Sequence, residues 1–336
     1  MGLRWGIIFN NDKFTSERVS FIKNKLIIII GSIVFLLAVA YIIYSLSTSG
    51  LFSSPSTPES RVMTTEIHLD NLGSAARLEG NVAIVSIFAN DKKNTWDFST
   101  AEDKQARENM FSYTDIAVKW LCEQAKNYNK ELSFSYAENE QSDLYFETAL
   151  DDDCMDLQKS FDKSAPVEWE YIDKNIDSKA IKEKYGCDSV VYFIFVNQTD
   201  ESGAAAYALS VYNKAFPYPY EICFIPVNFG GTITAPSVIA HELLHTFGAP
   251  DLYTYDGYDN NYGTTLEYKD YCQEYAPNDI MLTTFTKIDG ISTKLTDRID
   301  NEITEITAYY ISWLDDPPPE VDEFGLVHNQ YENYNG

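Results

Sequence analysis

Alternation of hydrophobic and polar positions divides the chain into short strands and a few helices. The run at 189–197 (SVVYFIFVN) is aromatic and β-branched, which favours a buried central strand. Over residues 101–130 apolar residues recur at helical spacing, among them Met110, Tyr113, Ala117 and Leu121. Further strands are predicted at 81–90, 131–136, 204–213 and 220–228, and a further helix at 177–185. This order predicts an α+β (mixed α/β) domain with a twisted, mixed sheet.

A second amphipathic pattern lies near the C-terminal end of the chain. Its apolar residues recur at steps of four, four, three and four, at Leu295, Ile299, Ile303, Ile306 and Tyr310. That spacing places all of them on one face of a helix. We therefore expect a C-terminal helix over residues 292–313.

The N-terminal part contains 21 consecutive uncharged residues at 26–46 (LIIIIGSIVFLLAVAYIIYSL). As a helix they would span about 31 Å, the thickness of a bilayer core. Five basic residues precede this segment and none follows it until Arg61, so residues 1–25 are expected in the cytoplasm and the rest outside. The sequence predicts a single-pass signal anchor in the cell membrane; a cleaved signal peptide is the alternative.

The region beyond this segment divides by composition. Residues 47–60 are rich in Ser, Thr and Pro and suggest a flexible stalk. Residues 61–314 are long enough for one extracellular domain, which proteolysis at the stalk could release. Residues 315–336 begin with DDPPPEVDE and are expected to form an acidic tail.

Composition and charge narrow the class of protein. The chain has 336 residues, of which 45 % are hydrophobic and 23 % charged, as in globular proteins. Its net charge of −26 would repel a phosphate backbone, so nucleic acid is not an expected partner. Five cysteines without CxxC spacing are too few for a disulfide scaffold, and a hydrophobic core must hold the fold together.

The residues with the clearest chemistry follow the last predicted strand, in TAPSVIAHELLHTFGAPDLY. Pro236 suits the first turn of a helix, and Gly248 suits its end. His241 and His245 are four residues apart, so their imidazoles lie on one helix face and can bind one cation. Glu242 stands beside the first histidine, where it can reach a water on that cation.

A catalytic zinc site needs a third protein ligand and leaves a fourth position for water. Gly248 can adopt positive φ and turn the chain sharply, so that Asp251, six residues beyond His245, can return to the metal. A carboxylate oxygen is an accepted zinc ligand. The other carboxylates that could serve are Asp256, Asp259 and Glu267.

The segment HELLHTFGAPD resembles the metzincin clan of zinc metalloproteases, in the snapalysin-like variant with Asp as third ligand. The NDIM sequence at 278–281 is similar to the Met-turn of that clan, and this interpretation of Met281 is favoured over the alternative of an ordinary packing methionine. Some clan members have a tyrosine two residues later, where this chain has Thr283, so a transition-state donor must come from elsewhere.

The resemblance implies a zincin catalytic domain with an active-site helix and one catalytic zinc. It implies His241, His245 and Asp251 as the metal ligands, Glu242 as the general base and Gly248 and Met281 as structural residues near the site. By the clan's layout, the strand at 220–228 is the candidate to pair with an extended substrate.

The expected function is that of a membrane-anchored extracellular zinc endopeptidase acting on protein or peptide substrates. Two alternatives keep the metal: a non-catalytic binding or sensory ectodomain, and a metal hydrolase that acts on a non-peptide amide. The run DGYDNN at 256–261 could hold Ca²⁺, but its spacing does not fit an EF-hand and a polar loop is the simpler interpretation. The oligomeric state stays open.

Overall fold

The fold is built on a mostly parallel, six-stranded sheet. The computed structural model describes residues 77–150, 167–187, 189–198, 206–209, 220–229, 232–254, 266–316 and 318, and all of them belong to one compact unit. The strands of the sheet are β1 (Gly80–Asn90), β2 (Leu132–Tyr136), β3 (Tyr145–Ala149), β4 (Ser189–Val196), β5 (Tyr207–Leu209) and β6 (Glu221–Pro226).

The strand order is β2-β1-β4-β6-β5, and only β5 runs antiparallel to its neighbour. The strands β2 and β3 share one side of β1, the first along Gly80–Ile84 and the second along Ser86–Asn90. All residues of β4 and β6 are buried, in keeping with their continuous apolar sequences. The core therefore lies along the central strands.

Six helices accompany this sheet in the described part of the chain. They are α1 (Ala101–Asn127), α2 (167–175), α3 (Ser178–Tyr185), α4 (Pro236–Thr246), α5 (Leu266–Tyr275) and α6 (Glu305–Tyr310). Two small hairpins complete the fold, β7 (Asn228–Phe229) with β8 (Thr232–Ile233), and β9 (Thr286–Ile288) with β10 (Ile291–Thr293). The helix α4 packs against α1 and β6, which places it over the core.

Most predicted elements are confirmed, and with them the mixed α/β class. The strands predicted at 81–90, 131–136 and 189–197 are β1, β2 and β4, and the helices predicted at 101–130 and 177–185 are α1 and α3. Of the strand predicted at 204–213 the described part is β5. The sequence patterns did not indicate β3, α2, α5 or the β9–β10 hairpin.

The prediction of a C-terminal helix over 292–313 is wrong in its extent. Only α6 is α-helical there, and β10 occupies the start of the range. Backbone groups of Glu302 bond instead to Asn278 and Ile280, and the amide of Ile303 donates to the Gln124 side chain. These partners hold the chain extended before α6, although its apolar residues recur at helical steps.

The proposed role of the strand at 220–228 in substrate pairing is also wrong. Its main part, β6, is hydrogen-bonded to β4 on one side and to β5 on the other. Its backbone groups are therefore already paired, and an extended peptide cannot be added to it.

The cytoplasmic segment 1–25, the signal anchor 26–46 and the stalk 47–60 lie outside the described residues, as does most of the tail at 315–336. Among the residues that are described, no helix is both long and apolar enough to cross a bilayer. The segment 26–46 therefore stays a prediction.

Candidate metal site

The helix α4 presents the two histidines on one face. It begins with Pro236 in its first turn, as predicted, and Ala235 before it is extended. His241 and His245 lie one turn apart, with ring centroids separated by 4.6 Å and planes nearly perpendicular at 87°. Their Nε2 atoms are 3.0 Å from each other. A single ion can therefore contact both.

The turn after α4 returns Asp251 to this pair. Gly248 adopts a φ of 101°, a conformation that favours glycine, and its amide donates to the carbonyl of His245 at 3.0 Å. Asp251 Oδ1 lies 3.1 Å from Nε2 of His241 and 3.3 Å from Nε2 of His245. The predicted turn and the predicted third residue are thus where the sequence placed them.

Both imidazoles are oriented by backbone carbonyls. Nδ1 of His241 lies 2.9 Å from the carbonyl oxygen of Ile280, and Nδ1 of His245 lies 2.7 Å from that of Ala249. Because a carbonyl only accepts, each Nδ1 carries the hydrogen and donates it. In the neutral rings the Nε2 lone pairs then face Asp251, and three electron-pair donors converge on one point.

The spacing of these donors fits a small metal ion. One ligand atom from each of the three residues lies within 4.8 Å of the others. Tetrahedral zinc with bonds of about 2.0–2.1 Å implies ligand separations of about 3.3–3.4 Å. The observed separations of 3.0, 3.1 and 3.3 Å are close to this. The group can therefore hold a metal ion.

In the metal-free protein, the charges of His245 and Asp251 stabilise each other. Burial favours neutral His245, but the adjacent Asp251 carboxylate outweighs that effect and raises the pKa of His245 to about 9. Burial also disfavours the Asp251 carboxylate, yet the charges and hydrogen bonds of His245 and His241 hold its pKa well below the ordinary value. Without a metal, a proton on His245 therefore neutralises Asp251.

Glu242 is buried beside this group, with an exposed fraction of 6 %. Burial raises the pKa of its carboxyl, and the electrostatic interactions of the carboxyl with His241 and His245 oppose that shift. Lys294 also acts on Glu242, and burial lowers the pKa of this lysine against the opposing effect of Glu242. No sequence motif indicated Lys294.

The NDIM segment supports the site through its backbone. The Ile280 carbonyl accepts from His241, and the Met281 carbonyl accepts from the amide of Leu252 at 3.0 Å, next to Asp251. The fully buried Asp279 holds this turn by accepting from the Met281 amide at 2.8 Å and from Thr307 Oγ1 at 2.7 Å. Sequence reasoning singled out Met281, which is buried, but not Asp279.

Of the alternative carboxylates, Glu267 is exposed on α5 and is not part of the group. Asp256 and Asp259 lie outside the described residues, together with the candidate Ca²⁺ run at 256–261. Asp251 is therefore the carboxylate that the described structure brings to the histidines.

Two comparisons with known proteins bear on the site. No protein-family model matches the sequence, and no curated protein matches it at a significant level. The chemistry of the site therefore has to be judged from its own side chains.

Proposed function

We propose that the protein is a membrane-anchored extracellular zinc endopeptidase with a metzincin-like catalytic domain. The observation that carries this proposal is the return of Asp251 to His241 and His245 with a buried Glu242 beside them. Each of these residues has a separate task in metal-assisted peptide hydrolysis.

The donor set favours zinc and a catalytic site. Two imidazoles and one carboxylate are ligands that zinc accepts, and structural zinc sites are almost always closed by four protein ligands. Among the described residues the group contains three ligands, His241, His245 and Asp251. The described residues thus leave a fourth position for water or substrate.

When bound, zinc would lower the pKa of a water molecule and polarise a carbonyl group. Glu242 would take the proton of the attacking water and pass it to the leaving amine. Burial raises the pKa of Glu242, which suits a group that must accept a proton and then give it up. The carbonyls of Ile280 and Ala249 would keep both histidines in the tautomer that ligates.

The first experiment compares the wild-type full chain in detergent with Glu242→Gln, and with Glu267→Gln as a control for an exposed carboxylate. Zinc content and cleavage of a diverse peptide library are measured on each. We expect about one zinc in all three, cleavage by wild type and Glu267→Gln, and cleavage by Glu242→Gln reduced at least about 100-fold.

The other outcomes separate the alternatives. Zinc in all three proteins without peptide cleavage would favour a binding ectodomain or an enzyme for a non-peptide amide. An absence of zinc from all three would contradict the metal site itself.

A further inference from the structure

The base of the β9–β10 hairpin lies along the same face of α4 as the histidines. Ser237, four residues before His241, donates from its hydroxyl to the carbonyl of Thr284 at 2.8 Å. His241 in turn is hydrogen-bonded to the carbonyl of Ile280. The chain therefore runs along this face from His241 to Ser237. The Asn301 side chain also holds this segment, because it donates a hydrogen bond to the carbonyl of Thr283 at 2.8 Å.

The pairing of the hairpin brings Lys294 to this base. Thr286 pairs with Thr293, so Phe285 and Lys294 follow as neighbours across the two strands. The Nζ atom of Lys294 lies 5.0 Å from the centroid of the Phe285 ring, as in a cation–π contact. Lys294 is half-buried, whereas Ile291 nearer the hairpin end is 69 % exposed.

The charge of Lys294 acts on the proposed general base. Its electrostatic partner is Glu242, on which His241, His245 and Asp251 also act. Among the described carboxylates, none forms an ion pair with Lys294 within 4.0 Å. The geometry places Lys294 on Phe285, next to Thr284, whose carbonyl is bonded to the α4 face that carries the histidines. Since no described carboxylate holds its half-buried ammonium, the ammonium is available to an oxygen of a substrate.

We propose that Lys294 is a catalytic residue that donates a hydrogen bond to the substrate carbonyl oxygen as it becomes negative. This inference rests on the proposed peptidase function. When water attacks the carbonyl carbon, its proton passes to Glu242 and the C=O π pair moves to oxygen, next to Lys294. When the C–N bond then breaks, the C=O bond reforms and Glu242 returns the proton to the leaving nitrogen. Some metzincins have a tyrosine at the position of Thr283. In this chain the transition-state donor would instead come from the base of the β9–β10 hairpin.

The test compares the wild-type full chain with Lys294→Met, which removes the charge, and Lys294→Arg, which keeps a cationic donor. Lys287→Met, an exposed lysine on the same hairpin, is the matched control. We expect kcat of Lys294→Met to fall about 100-fold with KM changed less than about threefold. Lys294→Arg should retain part of the rate, and Lys287→Met should match wild type.

A second measurement does not depend on turnover. The affinity for a peptide phosphonate, whose tetrahedral anion resembles the oxyanion, should fall in Lys294→Met by about the factor lost in kcat. The affinity for a matched peptide thiol, the zinc content and the melting temperature should not change. If Lys294→Met fails to fold, Lys294→Gln takes its place in both measurements.

Several results would overturn the inference. Wild-type kcat in Lys294→Met would exclude the role, and a raised KM with unchanged kcat would indicate ground-state binding instead. Loss of kcat in Tyr253→Phe alone would assign the donor to Tyr253, whose ring stacks on His241 at 6.2 Å. A zinc-loaded wild type that cleaves no peptide would contradict the peptidase proposal, and the role of Lys294 would fall with it.

Discussion

At the scale of single residues, the site is a competition between a proton and a metal. Asp251 raises the pKa of His245 to about 9 in the metal-free protein. Protonated His245 therefore stabilises the metal-free fold fully below pH about 6.5, and this contribution is lost as the pH rises through about 9. A metal ion needs the neutral ring and must displace that proton.

Zinc affinity should consequently depend on pH. For the full chain we expect the apparent association constant to rise about tenfold per pH unit between about 6.5 and 9 and then to level off. Competition with a chromophoric chelator across pH 6–10 measures this. In Asp251→Asn the affinity should be lower at every pH and the steep rise should end near pH 6.5, the ordinary pKa of histidine. An affinity independent of pH would contradict the pairing of His245 with Asp251.

Sequence spacing predicts only part of these residues. His241, Glu242 and His245 share one helix, and Asp251 is one turn of chain beyond it, so local geometry places them. The Ile280 carbonyl reaches His241 from a segment about 40 residues away in the chain, and the charge of Lys294 acts on Glu242 from about 50 residues away. The periodicity of the sequence does not predict such long-range interactions, because they depend on how the segments pack against one another.

At the scale of elements, one physical reason explains which helices and strands were predicted correctly from the sequence and which were not. β4 and α1 are long, and each buries a continuous surface against the core, so their patterns are unambiguous. The residues before α6 have helical periodicity but different partners: Gln124 for Ile303, and Asn278 with Ile280 for Glu302. Tertiary hydrogen bonds there override the local preference.

The turn at Gly248 offers a test at this scale. Its φ of 101° disfavours a side chain, so Gly248→Ala should lower the free energy of unfolding by about 1–2 kcal/mol and weaken zinc binding by displacing Asp251. Gly290→Ala is the matched control, because Gly290 also has positive φ, at 80°, and an added Cβ would meet nothing within 4 Å. We expect similar destabilisation there with unchanged zinc affinity. Chemical denaturation and chelator competition measure the two effects, and equal loss of zinc in both variants would contradict the role of the turn.

At the scale of the whole molecule, the proposed anchor agrees with the placement of the basic residues near the apolar segment. Five of the 25 basic residues precede the apolar segment 26–46, and the acidic excess follows it. We expect the full chain to sediment with membranes and to leave them only in detergent, and a chain without residues 26–46 to stay in the soluble fraction. Protease added to intact cells should remove the domain but spare residues 1–25. Digestion only after permeabilisation would contradict an extracellular domain.

The turn at 278–281 also has a consequence for the timing of assembly. Its buried Asp279 is held by Thr304 and Thr307, so the carbonyl that orients His241 is fixed only once those threonines have joined the fold. A nascent chain that has exposed the HELLH segment alone would lack this support. Metal loading would then follow synthesis of nearly the whole domain, and on an outward-facing protein it would take place after translocation, from the ions of the surroundings.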